Sequence, residues 1–120
     1  MILSILLVED EAMIRMMVAD MVEELGHRVA AEAGNISQAM ELAQSAAFDL
    51  AILDVNLNGA MSVTVAEALI ARQIPYIVAS GYGSNVTSDQ YGLQVVLQKP
   101  FTIDALESAI HQTMQREGKQ

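Results

Sequence analysis

Five short apolar runs, each followed by a polar or helix-patterned stretch, restrict the possible folds of this chain more than any other feature. They are Ile2 to Val8, the weaker Arg28 to Ala33, Leu50 to Leu53 with Asp54 at its tip, Ile74 to Ala79, and Leu93 to Leu97. Strands that read as near-continuous apolar runs are covered on both faces, and alternation with helical segments is the pattern of a parallel sheet with crossover helices. The expected class is therefore α/β, an open doubly wound sheet. At 120 residues there is room for one domain, since folding at this size removes roughly two thirds of the unfolded chain's surface. We place it at residues 1–117, with 118–120 as a frayed tail.

The helices follow from period and punctuation. Ile14, Met17, Val18, Met21 and Leu25 fall on one helical face, and Gly26 stands where a left-handed cap ends the helix. A second helix begins after Asn35, which can cap it while Gln38 reaches back. A third lies within Val63 to Arg72, capped by Ser62 or Thr64, with Pro75 beyond its end. The last is capped by Thr102 and carries Ile103, Leu106, Ile110 and Met114 as its apolar stripe, with Asp104 and Arg116 matched to the helix dipole. The remaining segment, Gly81 to Gly92, has three glycines and little apolar periodicity, which predicts a short, loosely held helix.

Composition excludes several functions. A net charge of −9 and a pI near 4.4 argue against nucleic-acid binding by this domain. The absence of cysteine removes disulfides, thiolate nucleophiles and zinc–thiolate sites. The apolar start is too short to span a bilayer and runs into acids, so the expectation is a soluble, cytoplasmic protein.

The chemistry collects where strands end. In open α/β sheets the ligand sits outside the carboxyl ends of the strands. Here the first strand ends in Glu9 and Asp10, the third in Asp54, the fourth in Ser80, and the fifth in Lys99 followed by Pro100. Two carboxylates about 4 Å apart repel by roughly 4 kcal/mol at an effective dielectric near 20, so the cluster calls for a cation. Lys99 supplies one, and the all-oxygen donor set suits Mg²⁺ as another. Without the metal, at least one acid should have a raised pKa. Each motif has an ordinary reading taken singly: an acidic first turn, a turn at Asp54-Val55-Asn56, a solvated lysine. Their joint placement at one sheet edge makes a site.

The segments LLVEDE, LAILDVNLNG, PYIVASGYG and LQKPF, in that order and spacing, resemble the receiver domain of bacterial two-component response regulators over nearly the whole chain. That resemblance implies a flavodoxin-like (βα)5 fold of strand order 2-1-3-4-5. It implies that Asp54 takes phosphate from a phosphohistidine on a sensor histidine kinase or histidine phosphotransfer protein. Glu9, Asp10, Asp54 and the backbone carbonyl of Asn56 would hold Mg²⁺, Lys99 would pair with the phosphoryl group across a cis bond to Pro100, and Ser80 would be the hydroxyl switch. Such a domain is no turnover enzyme; it catalyses only its own phosphorylation and dephosphorylation. It signals to a downstream protein target, away from membranes and nucleic acid, as a monomer or weak dimer.

Departures matter as well. The aromatic switch common in the family is replaced by Val96, and Asn58 stands where many receivers have proline, which suggests a more pliable loop after Asp54. Pro75 to Tyr82 resembles the motif of an atypical single-domain receiver group nicknamed FAT GUY. Tyr82 is then a candidate gate over the phosphoryl pocket. The rival functions are an aspartyl-nucleophile phosphatase, disfavoured by Asn56 where a second acid is usual, and a phosphorylation-independent interaction module. The start at Met1 and the short tail lead us to expect a whole regulator.

Overall fold

The computed structural model describes residues 1–81 and 95–117. Along the chain run β1 (Ser4–Val8), α1 (Ala12–Glu24), β2 (Arg28–Ala33), α2 (Ile36–Ser45), β3 (Leu50–Asp54), β4 (Asn56–Leu57), β5 (Ala60–Met61) and α3 (Val63–Ala71). Then come β6 (Tyr76–Ser80), β7 (Val95–Gln98) and, capping the chain, α4 (Ile103–Glu117). Five strands form one parallel sheet in the order β2-β1-β3-β6-β7, and β4 pairs with β5 as a separate antiparallel hairpin. With the hairpin set aside, this is the flavodoxin-like 2-1-3-4-5 order.

The two-residue period of a strand explains why the runs look uniformly apolar. Leu6, Val8, Ala51, Leu53 and Val78 point to one face, where Ala39 and Ala43 of α2 and Val65, Ala66 and Leu69 of α3 cover them. Ile5, Leu7, Leu50, Ile52, Ile77 and Leu97 point to the other, under Val18 and Val22 of α1 and Leu106, Ala109 and Ile110 of α4. Two cores therefore share one sheet, and each central strand is buried on both sides.

Local chemistry sets the helix ends. The Asn35 side chain accepts the Gln38 N–H at 2.8 Å, and the Gln38 side chain in turn accepts the N–H of Gly34 at 2.9 Å. Thr102 accepts the Ala105 N–H at 3.1 Å. Gly26, at φ +90°, occupies the left-handed position after α1. The carboxyl end of α2 is closed from outside: Arg72 donates to the carbonyls of Ala43 (2.7 Å) and Ala46 (3.0 Å) while its guanidinium lies 5.5 Å from the centre of the Phe48 ring.

Two local expectations need correction. Met17, assigned to the buried stripe of α1, is 55% exposed, as are Met13 and Met16 in larger measure, while Val22 is fully buried in its place. Ser62 does stand before α3, but its side chain makes no capping bond and donates instead to the Asp54 carbonyl. The segment after Asp54 forms a hairpin: Asn58 (φ +55°) and Gly59 (φ +87°) make a turn with two left-handed residues, the geometry that matches strand twist. The short helix predicted within Gly81 to Gly92, Tyr82, and the tail 118–120 lie outside the described residues, Gly81 excepted. No helix among the described residues is long and apolar enough to cross a membrane.

Candidate functional site

Register brings the strand-end residues together. Val8 of β1 pairs with Leu53 of β3, so Glu9 and Asp54 leave the sheet side by side at the point where strand order reverses. Ser80 of β6 pairs with Gln98 of β7, and the Lys99 N–H donates to the Ser80 carbonyl at 2.7 Å, which launches the lysine from the same edge. Its ammonium then reaches past β6 to donate to Glu9 Oε1 at 2.9 Å and Asp54 Oδ2 at 3.0 Å. Both acids are buried, at 6% and 3% exposure. The peptide between Lys99 and Pro100 is cis.

Main-chain donors complete the cluster. Glu9 Oε2 accepts the Glu11 N–H at 3.1 Å, Asp10 Oδ2 accepts the Asn58 N–H at 2.9 Å, and Asp54 Oδ1 lies 3.4 Å from the Asn56 N–H. Glu9, Asp10 and Asp54 each offer one carboxylate oxygen, and these atoms all lie within 4.8 Å of one another. An all-carboxylate set of this size with one half-exposed member suits a hard divalent ion that keeps part of its water shell. The residues present therefore fit Mg²⁺.

Electrostatics reflect the crowding. Burial pushes the Glu9 carboxyl up to about 7, opposed by the Lys99 ammonium and the Glu11 N–H and reinforced by the Asp54 charge. For Asp10, burial acts upward but is outweighed by the Asn58 N–H, by its bond with Glu9 and by Lys99, so its carboxyl lies below the ordinary range. Burial of Lys99 acts downward, yet its bonds to Glu9 and Asp54 prevail and hold the ammonium above its usual value. The cluster thus resolves its repulsion by keeping Lys99 charged and letting Glu9 hold a proton near neutrality, the raised acid expected of the metal-free cluster.

Residues 5–111 match the family model of the response regulator receiver domain. Over 116 residues the chain is 33% identical to the "Transcriptional regulatory protein PdtaR" of Mycobacterium tuberculosis, covering 93% of this chain but only 57% of that relative's length. The chain belongs to the response regulator receiver family. This receiver is also 31% identical to the "Chemotaxis protein CheY" of Bacillus subtilis, covering 92% of this chain and 96% of the relative. Among solved structures it resembles SdrG from Sphingomonas melonis Fr1, with 38% identity, a TM-score of 0.83, and coverage of 94% of this chain and 97% of the other.

The receiver's structure places Glu9, Asp10, Asp54 and Lys99 in one contact group. Ser80 ends the adjacent strand, buried, with its hydroxyl donating to the Gly81 carbonyl at 3.3 Å and making no bond to the acids. Asn56 sits two residues past Asp54, its side chain accepting the Gly59 N–H at 2.8 Å. Val96 is half exposed on the edge strand β7.

Sequence reasoning missed Arg15, whose guanidinium donates to the Glu9 carbonyl at 2.7 Å and to Glu32 at 3.1 Å, pinning the turn after β1 to the end of β2. It missed the Asn58 N–H as well, although Asn-Gly is the strongest short-range hairpin signal a sequence carries and was there to be read.

Proposed function

We propose that this receiver is a phosphoryl-accepting switch. Asp54 takes a phosphoryl group from a phosphohistidine on a sensor histidine kinase or histidine phosphotransfer protein, and the change redirects a surface that binds a downstream protein. The observation that carries this reading is Asp54 itself: a buried carboxylate at the carboxyl edge of the sheet, 3.0 Å from the Lys99 ammonium and grouped with Glu9 and Asp10.

In the transfer, an Asp54 oxygen bonds to phosphorus as the bond from phosphorus to the imidazole nitrogen breaks, its electron pair returning to the ring. Lys99, already extended to Asp54, is in reach of the phosphoryl oxygens and stays protonated throughout. Glu9, Asp10, Asp54 and the Asn56 carbonyl would hold Mg²⁺, which would supply charge neutralisation for those oxygens. Arg15 keeps the turn that carries Glu9 and Asp10 from shifting. Phosphorylation adds roughly −1.5 to −2 charge units, and the Ser80 hydroxyl, which here donates to the Gly81 carbonyl, is the group that would turn to donate to the new one. Almost complete switching needs about 5.5 kcal/mol of difference between the two states, which several such contacts supply together. The domain so read modifies only itself, works in the cytoplasm, and acts through protein contacts as a monomer or weak dimer.

The test is direct. A small phosphodonor with Mg²⁺ should add one phosphoryl group to the wild type and none to Asp54→Asn, read by intact mass. Equal labelling of both proteins, or none of either, overturns the proposal. Continuous hydrolysis of a generic phosphate ester would move it toward a phosphatase.

A further inference from the structure

We propose that the main-chain N–H of Asn58 is a positioning group for the cation site: it fixes the Asp10 carboxylate and couples cation binding to the β4–β5 hairpin. The inference rests on the reading of Glu9, Asp10 and Asp54 as the Mg²⁺ ligands, and goes beyond it by assigning a role to a residue outside that ligand set.

The three acids are not held alike. Lys99 forms ion pairs with Glu9 and Asp54, at 2.9 and 3.0 Å. Asp10, the less buried acid, instead takes the Asn58 N–H at 2.9 Å, from a residue 48 positions along the chain. A carboxylate has two oxygens and about four lone-pair sites, so it can accept this bond and ligate a cation together.

The donor's position is built, not incidental. Asn58 and Gly59 are both left-handed, and Asn56↔Met61 and Leu57↔Ala60 pair on either side of them. The Asn56 side chain ties the turn from within, accepting the Gly59 N–H at 2.8 Å. The Asn58 side-chain amide bridges outward to the Gly34 carbonyl at 3.4 Å, next to the Arg15 guanidinium that pins the Glu9 carbonyl. The hairpin thus reaches Asp10 through one bond and the end of β2 through another.

Two consequences follow. Hydrogen-bond partners of a ligating carboxylate typically contribute 10- to 100-fold to metal affinity by orienting it. Coupling is also reciprocal: if the hairpin favours the bound cation, the cation favours the closed hairpin by the same factor.

The experiment compares Mg²⁺ affinity in the wild type, Asn58→Pro and Asn58→Gly by calorimetry. Proline has no N–H and cannot adopt a positive φ, so roughly tenfold weaker binding is expected. Glycine keeps the N–H and tolerates the left-handed turn, so it should recover most of that loss. A second measurement does not depend on the proline variant folding: in the wild type, hydrogen exchange at the Asn58 amide should slow on Mg²⁺ saturation. Unchanged Asn58 exchange at saturating Mg²⁺, or a folded proline variant with wild-type affinity, overturns the inference while leaving the Mg²⁺ site intact. A wild type that binds no Mg²⁺ overturns both.

Discussion

Replacing Lys99 by Met removes the ammonium while keeping most of the side chain's bulk. In the wild type this group lies 2.9 Å from Glu9 and 3.0 Å from Asp54, and the side chains of lysine, glutamate and aspartate are 17%, 8% and 5% exposed. Removing one partner of a buried pair costs about 3–5 kcal/mol, because a charge is left without compensation. Two features reduce that figure here. Lys99 keeps some contact with water, and Glu9, already raised to about 7, can take up a proton instead of remaining ionised. The expected loss is about 2–3 kcal/mol near pH 8, or roughly 10 °C in Tm for a domain of this size. Near pH 6, where Glu9 is mostly protonated with or without the lysine, the loss should shrink by about 1 kcal/mol. The assay is thermal unfolding in chelator at both pH values, repeated with Mg²⁺. Because ammonium and divalent ion neutralise the same carboxylates, Mg²⁺ should raise the Tm of Lys99→Met by more than that of the wild type. A variant as stable as the wild type near pH 8, a loss independent of pH, or a Mg²⁺ response no larger than in the wild type would refute the reasoning.

In the wild type without metal, burial holds the folded-state Glu9 carboxyl at about 7, well above the ordinary carboxylate range. The native state therefore binds the proton more tightly, and its contribution is present below the unfolded value and lost as pH rises through about 7. Chelated protein should lose about 3 kcal/mol across that window, and Glu9→Gln should flatten the profile of Tm against pH. Arg72→Ala removes the bonds to the Ala43 carbonyl of α2 and the Ala46 carbonyl just beyond it, together with the contact with Phe48. It should cost about 1–2 kcal/mol, read as a lower urea midpoint with an unchanged slope.

The sheet and the site were legible for the same reason. Apolar runs mark strands, and in a parallel sheet their carboxyl ends share one edge, so Lys99 and Glu9 could be joined across 90 positions of sequence. Strand starts were harder, because apolarity does not report hydrogen bonding. Ile2 reads as strand but is 71% exposed ahead of β1, and Ile74 also lies ahead of its strand, β6, although it is half-buried against the core. The stripe of α1 was legible at Ile14, Val18, Met21 and Leu25, which pack on the core; Met17 alone was misplaced, because methionine fits either flank of a helix, and Val22 is buried instead. Ser62 was read as a cap from its type and place. Burial of the Asp54 carbonyl region gave its hydroxyl another partner, which only the fold could reveal. Arg15 had no signature either, since its targets, the Glu9 carbonyl and Glu32, become neighbours only once β1 and β2 are paired.

The division of each central strand between two cores has a consequence for how such a chain can change over time. Inserting or deleting one residue within Leu50–Asp54 would exchange the faces of Ile52 and Leu53 and turn Asp54 off the edge it shares with Glu9. Outer helix positions carry no such penalty, as the bare thioethers of Met13 and Met16 illustrate. Descendants of this sequence are thus free to redraw their exteriors by point substitution, while length changes inside β1, β3 and β6 extinguish the chemistry at once.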